Sequence, residues 1–270
     1  MDIFEIVGYI LAVLVGISLG LIGSGGSILS VPILVYIMGV NPIFATAYSL
    51  FIVGSSALVG GIKKAINKEV DFKTVALFGI PSIFAVFLTR SYLVPNIPEV
   101  IFSLESFQFT KSIAVMVFFA IIMILSALKM MHSSATEKEH TKVIKNKYLK
   151  ITLQGLMIGV VAGTVGAGGG FLIIPALVLL IRMPMKIAIG TSLFIVAVQS
   201  LIGFTGDLLH NSSMDWNLLL LFTLCSIIGI FIGNYLSKKI SGDKLKVGFG
   251  WFVLVMGVYI IVKELFWDRK

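Results

Sequence analysis

The stretch Gly20–Pro32, GLIGSGGSILSVP, lies inside the first long apolar run of the chain, where a membrane-spanning helix is expected. Its thirteen residues include four glycines, three serines and a proline. Glycine and proline both destabilise the interior of an α-helix, glycine through backbone entropy and proline through its missing N–H group. The stretch therefore predicts a break within a transmembrane helix.

The composition of the chain excludes a water-soluble protein. Hydrophobic residues make up 58% and charged residues 13% of the sequence, and the mean hydropathy is +1.05. At about 20 residues per span, 270 residues allow roughly eight passes through a bilayer. The net charge of +8 does not indicate nucleic acid binding, because the basic residues flank apolar runs, where they set orientation. These features predict an all-α polytopic membrane protein whose partner is the lipid bilayer.

Two of the apolar stretches are too long for one straight span. Uninterrupted stretches predict helices at about 43–62, 73–90, 110–130, 186–205, 216–237 and 245–263. The two longer ones, 3–38 and 148–181, each contain a glycine cluster near the middle. A straight helix of that length would measure about 50 Å, against about 30 Å for the hydrocarbon core. Each must bend or fold back.

The second long stretch is a copy of the first. GISLGLIGSGGSILSVPIL from Gly16 aligns with GVVAGTVGAGGGFLIIPAL from Gly159 at a constant offset of 143, and AYSLFIV from Ala47 aligns with GTSLFIV from Gly190. The sequence divides into a first transmembrane repeat (1–131), a cytoplasmic linker loop (132–147) and a second transmembrane repeat (148–270). Internal duplication is common in secondary transporters, because two similar bundles can expose one site to each side in turn.

The basic residues predict that the two repeats are inverted. If each long stretch is a hairpin followed by three spans, sixteen Lys and Arg residues lie on the cytoplasmic side and five on the outer side. If each long stretch crosses the membrane once, thirteen lie on the cytoplasmic side and eight on the outer side. The positive-inside rule favours the hairpins, with both chain termini outside. The loop around 63–73 has four lysines and the equivalent loop around 206–215 has none, as inverted copies require.

The duplicated motifs also resemble a known family. GSGGSILSVP and GAGGGFLIIP, each followed by a span that opens ATAYSL or AIGTSL, are similar to the TauE/SafE (sulfite exporter TauE-like) membrane anion permeases, and the resemblance covers nearly the whole chain. It implies a secondary transporter that exports or takes up sulfite, organosulfonates or other sulfur-containing anions. It also implies residence in a prokaryotic plasma (inner) membrane.

The glycine clusters have a physical reason that does not depend on the family. A break inside the membrane leaves backbone N–H groups without partners, and half-helices beginning near Ser27 and Gly170 would direct these amides and their positive dipole ends at an anion. The residues predicted to line the substrate are Gly25, Gly26, Ser27, Gly168, Gly169 and Gly170. The GxxxG pairs Gly16/Gly20 and Gly159/Gly163 are instead interpreted as helix-packing positions.

Polar side chains near the breaks complete the predicted site, because hydroxyl and amide groups donate to an oxyanion without adding a buried charge. These candidates are Ser24, Tyr48, Ser49, Thr191, Ser192 and Gln199. The alternative is that the hydroxyls bond only to their own helix. Asp71 and Asp215, which precede Phe72 and Trp216, are predicted to be helix N-caps.

Several function classes are disfavoured. No Asp or Glu falls in the middle of a predicted span, which argues against a buried acidic proton relay. The three histidines are scattered in loops, which indicates no metal site, and no hydrolase or metalloprotease motif indicates an enzyme; no cofactor is implied. A passive anion channel and a non-transporting scaffold remain alternatives, and homo-oligomerisation stays open.

Overall fold

The structure is a bundle of α-helices with one short β-hairpin. This computed structural model describes residues 3–23, 25–104, 107–132, 147–165, 170–181, 183–208, 214–237, 239–240 and 242–264. Within this part of the chain six helices are long and apolar enough to cross a membrane. The predicted linker lies almost entirely outside the described residues.

The helices follow the predicted spans closely. They are α1 (Ile3–Ile22), α2 (Gly25–Pro32), α3 (Pro42–Ile66), α4 (Phe72–Asn96), α5 (Lys111–His132), α6 (Lys147–Val165), α7 (Gly170–Pro175), α8 (Met185–Leu208), α9 (Trp216–Ser237) and α10 (Gly242–Val262). Between α4 and α5, the strands β1 (Val100–Leu104) and β2 (Phe107–Thr110) pair antiparallel. The sequence analysis assigned no element there, because VIFSL does not alternate polar with apolar residues.

Four five-residue π-helical turns interrupt the α-helical pattern of the described residues, and each lies within two residues of a proline. Helix α4 is α-helical over Phe72–Thr74, Ile80–Leu88 and Val94–Asn96 and π-helical over Val75–Gly79 and Thr89–Leu93. The other two π turns, Ile33–Ile37 and Ala176–Leu180, directly follow α2 and α7. Proline lacks the N–H group that the α-helical ladder needs, so the hydrogen-bond pattern shifts near it.

The predicted N-caps at Asp71 and Asp215 are confirmed. The Asp71 carboxylate accepts the N–H group of Lys73 at 3.0 Å, and the Asp215 carboxylate accepts the N–H group of Leu218 at 3.0 Å. Each carboxylate thereby satisfies one of the free amides at the start of its helix.

Helices α3 and α8 form the centre of the bundle and run in opposite directions. A Cβ atom added to Gly54 would lie 3.1 Å from the Leu201 nitrogen, and one added to Gly61 would lie 3.1 Å from the Phe194 ring. The start of α3 therefore lies beside the end of α8. These are the two most buried of the candidate spans, so their side chains are positioned to line an interior path.

The two GxxxG pairs pack helices closely, which confirms their interpretation. A Cβ atom on Gly20 would lie 2.5 Å from the Ile230 carbonyl oxygen of α9, and one on Gly163 would lie 2.8 Å from Cβ of Thr89 on α4. Gly16 faces α9 and Gly159 faces α4 in the same way. Glycine at these crossings lets the backbones of α1 and α9, and of α6 and α4, touch.

Candidate functional site

The first helix break lies between α1 and α2. Gly23 has φ +79° and donates its N–H group to the Leu19 carbonyl at 2.7 Å, a left-handed turn that ends a helix. Helix α2 then begins at Gly25 and packs on α1, because a Cβ atom on Gly26 would lie 2.5 Å from the Val15 carbonyl oxygen. Close packing alone therefore accounts for glycine at position 26.

Two predicted serines, one from each repeat, contact the break or the helix that follows it. The Ser192 hydroxyl on α8 donates to the carbonyl of Ile189 at 2.9 Å and reaches the Gly23 carbonyl at 3.4 Å. The Ser49 hydroxyl on α3 lies 2.5 Å from the Ser30 hydroxyl on α2. Ser30, Ser49 and Ser192 are each fully buried. The two hydroxyls lie at different levels of the bundle. Because Gly54 lies beside Leu201 and Gly61 beside Phe194, Ser49 is level with the end of α8, about 20 Å along the helix axes from Ser192.

Tyr48 and Thr191 hold the starts of two other helices. The Tyr48 hydroxyl accepts the backbone N–H of Asp215 at 2.7 Å, and the Thr191 hydroxyl accepts the backbone N–H of Asp71 at 2.9 Å. Tyr48 and Thr191 are equivalent in the repeat, as are Asp215 and Asp71. Because each hydroxyl acts as acceptor here, its own proton is still available for donation.

Gln199 lies farther along α8 than Ser192. Its side-chain oxygen accepts a hydrogen bond of 2.5 Å from the Ser82 hydroxyl on α4. Seven residues separate Gln199 from Ser192, which corresponds to about 10 Å along the helix axis. Gln199 therefore lies between the level of Ser192 and the level of Ser49 in the bundle.

The second break is described only at its edges. Helix α7 begins at Gly170, and α2 and α7 contact each other inside the bundle. The predicted site residues Gly168 and Gly169 lie outside the described residues, as does Ser24, and the described part of Ser27 is its backbone. Gly25 and Gly170 are the first residues of their helices.

The sequence analysis missed a buried ion pair between α4 and α8. Arg90 is 1% exposed, and its Nη1 atom lies 3.3 Å from Oδ1 of Asp207 and 3.0 Å from the Thr46 hydroxyl. Asp207 is the second-last residue of α8, where the sequence indicated only a span end. The 117 residues between the partners leave no local signal for this contact.

Other polar groups are buried without a partner in the part of the chain that the structure describes. They are the hydroxyls of Ser56, Ser200 and Ser226 and the whole carboxamide of Asn234. Ser226 and Asn234 lie on α9, the helix that packs against α1 along Gly16 and Gly20. Unpartnered polar groups inside a membrane protein are unfavourable unless water or a ligand reaches them. The interior is therefore polar enough to admit one or the other.

Six apolar helices of spanning length in the described part of the chain define a class of protein, the polytopic membrane proteins. Residues 9–260 match the family described as "Sulfite exporter TauE/SafE", and the chain belongs to this family. The resemblance seen in the duplicated glycine motifs is thereby confirmed.

Curated relatives carry transporter names. A "Probable membrane transporter protein" of Xylella fastidiosa (strain 9a5c) is 32% identical over 92% of this chain and 91% of its own length. Bacillus subtilis YunE is 26% identical over 94% of this chain and 95% of its own, and Methanocaldococcus jannaschii MJ0441 is 26% identical over 93% and 95%. Both of these are also named probable membrane transporter proteins. No solved structure matches the chain significantly.

Proposed function

We propose that this protein is a secondary transporter of small sulfur-containing oxyanions such as sulfite or organosulfonates, without enzymatic activity. The family description names a sulfite exporter, and the relatives are named as probable membrane transporters. An oxyanion of this class needs several hydrogen-bond donors in place of its hydration shell. The glycine breaks are the part of the chain best suited to supply them.

One observation carries the proposal: a hydroxyl of one central helix contacts the first break at Gly23, and a hydroxyl of the other contacts Ser30 on the helix that follows it. Ser49 lies against α2, and Ser192 lies against Gly23, the residue that ends α1. Helix α2 opens at Gly25, and the free backbone amides at the start of a helix can bind an anion. We assign the substrate to a path along α2, with Thr191 and Ser192 at one end, Tyr48 and Ser49 at the other, Gln199 between them and the second break completing the site.

Two sets of contacts support a pair of inverted repeats. The equivalent helices α3 and α8 run in opposite directions, and the Tyr48–Asp215 contact is matched by the Thr191–Asp71 contact. Contacts of Gly26 with Val15 and of Met38 with Gly8 support a re-entrant hairpin, because they pair residues progressively farther from the break. Under this proposal both termini lie outside a prokaryotic plasma membrane, and the halves move against each other around the site.

The proposal needs no acidic proton relay in the middle of a span. The two buried carboxylates of the described residues lie at helix ends, where Asp207 pairs with Arg90 and Glu264 accepts the Tyr36 hydroxyl at 2.8 Å. A weak acid such as bisulfite can carry its own proton. A uniporter driven by the membrane potential is equally compatible with these positions.

The test is uptake of radiolabelled sulfite, thiosulfate, methanesulfonate and sulfate into proteoliposomes, with and without a pH gradient. Loss of one hydrogen bond to a charged ligand corresponds to about 1.5–3 kcal/mol, or roughly ten- to more than a hundredfold in affinity. We expect Ser49→Ala and Ser192→Ala to weaken uptake by this factor while melting close to the wild type. If unlabelled anion inside the vesicles accelerates uptake of the labelled anion, the protein is a carrier and not a channel.

Ser237→Ala is the matched control. Ser237 bonds to the carbonyl three residues earlier, as Ser192 does, but it is the last residue of α9. We expect this variant to transport normally. Normal uptake by both site variants would remove the serines from the site, and absence of uptake of every sulfur anion by the wild type would exclude the proposed function.

A further inference from the structure

A second polar pocket lies away from the glycine breaks, at the end of the bundle where α3 and α5 begin and α4 and α8 end. Its volume is about 260 Å³, and its polar lining consists of Asn41, Arg90, Glu99, Lys111, Ser112 and Asp207. Asp207 is fifteen residues beyond Ser192 on α8, about 22 Å along the helix axis. The pocket is therefore separate from Gly23 and Ser192. It adjoins the Ser49 end of the proposed site, because Thr46, which contacts Arg90, is three residues from Ser49 on α3.

The guanidinium group of Arg90 is only partly used by the protein. Its Nη1 atom meets Asp207 and Thr46, whereas Nε and Nη2 are buried without a hydrogen-bond partner among the described residues. Nε and Nη2 form one edge of the planar group, and their two parallel N–H bonds match two oxygens of an oxyanion. An unpaired, buried charged donor is unfavourable, which points to a ligand at this edge.

Lys111 adds a second cation to the same pocket. Its side chain is largely buried, with the residue 6% exposed, and its ammonium group forms no ion pair within the described part of the chain. It is also the first residue of the 22-residue helix α5, whose N-terminal end favours a negative charge. Two cations and a helix dipole thus converge on one cavity.

The two carboxylates of the pocket do not cancel this preference. Asp207 meets Arg90 at Nη1, on the side of the guanidinium away from the free edge, so both donors of that edge stay available and Lys111 supplies the unpaired positive charge. Glu99 is exposed, so water screens its charge. The unpaired edge of Arg90 also lies in the π-helical turn Thr89–Leu93, and such turns are frequent at functional sites.

We propose that this pocket binds one small oxyanion through the Nε–Nη2 edge of Arg90 and the ammonium group of Lys111. Its position at the mouth of the bundle makes it a waiting site through which the anion passes on its way to or from the break. That the anion bound here is also the transported anion rests on the proposed function.

The experiment is equilibrium dialysis of the purified full-length protein against ³⁵S-labelled thiosulfate, which gives both the number of bound anions and their Kd. We expect Arg90→Lys to weaken one binding event by roughly ten- to a hundredfold, because lysine keeps the charge that pairs with Asp207 but lacks the two-donor edge. We expect Ser192→Ala to leave that event intact. Wild-type binding by a folded Arg90→Lys variant would overturn the proposal.

Lys111→Met gives an independent answer if Arg90→Lys melts early, since it leaves the Arg90–Asp207 pair untouched. We expect it to weaken the same binding event, and we expect Lys186→Met, the same change at an exposed position at the start of α8, to have no effect. Unchanged binding in Lys111→Met would also overturn the proposal. Binding that depends on Arg90 in a protein that transports no sulfur anion would instead exclude only the proposed function.

Discussion

At the scale of single residues, polar side chains at the helix starts serve the fold before they serve any ligand. Asp71 and Asp215 cap α4 and α9, and their backbone N–H groups are in turn held by Thr191 and Tyr48. Each capped helix is thereby tied to a central helix of the other repeat. The aspartates are thus part of the framework and are not expected to exchange protons during transport.

Replacing the cap residue tests this role. Asp71→Ala should lower the free energy of unfolding by about 1 kcal/mol, because the amides of Lys73 and Thr74 lose their acceptor. Asp71→Asn should stay close to the wild type, since asparagine is an equally good N-cap. Thermal melting in detergent measures the stability of both variants. Uptake at several pH values shows whether either variant changes the pH dependence of transport. A variant that melts normally but transports without pH dependence would show that Asp71 belongs to a proton relay.

At the scale of helices, glycine decides how closely the spans approach one another. Helix α1 meets α9 along Gly16 and Gly20, and α6 meets α4 along Gly159 and Gly163. In lipid, hydrophobic burial gives little drive for helix association, so close backbone contact has a large share in holding these pairs together. Gly23 lacks a side chain because of its positive φ, whereas Gly26 and the crossing glycines lack one because a neighbouring helix occupies the space.

Adding one methyl group tests whether the glycines at the helix crossings are needed for packing. The Cβ atom of Gly16→Ala would clash with the Ser226 carbonyl on α9, and such overpacking is expected to lower stability by about 1–3 kcal/mol. Gly248→Ala on α10 is the matched control, because nothing lies within 4 Å of its added Cβ atom. Higher helix propensity should make this control as stable as the wild type or more so, by up to about 1 kcal/mol. Equal melting temperatures for the two variants would contradict the packing role.

At the scale of the whole molecule, the antiparallel central pair gives the bundle two alike ends. The start of α3 and the end of α8 share one end with the Arg90 pocket, and the start of α8 and the end of α3 share the other, where Lys64 pairs with Glu69 at 2.6 Å. A transporter that opens alternately to each side needs such a near-symmetric arrangement. Under the proposed inverted topology, equivalent loops of the repeats lie on opposite sides of the membrane.

Cysteine labelling tests this arrangement directly. In a Cys225→Ala background, which removes the only cysteine, Asn67→Cys and Asn211→Cys place one probe in each of two equivalent loops. We expect a membrane-impermeant maleimide to label Asn211→Cys in intact cells and Asn67→Cys only after the membrane is opened. Labelling of both positions from the same side would mean that the repeats are parallel.

The sequence by itself determined where the chain spans the membrane, where its helices break and begin, and that it is duplicated. These properties depend on local composition and spacing: apolar length sets each span, the Gly23–Gly26 cluster ends α1 and opens α2, and Asp71 or Asp215 before a span caps it. The family could also be read from the sequence, because its motifs are contiguous.

Only the tertiary structure decided which of the polar residues meet. The sequence could not show that the Tyr48 hydroxyl accepts the backbone N–H of Asp215, 167 residues away, or that Gln199 bonds to Ser82, 117 residues away. The Arg90–Asp207 pair, with its unpaired guanidinium edge, also joins residues 117 positions apart. Partners so distant in the chain are brought together by helix crossings, and a periodic apolar pattern specifies which face of a helix is buried without specifying which helix it meets.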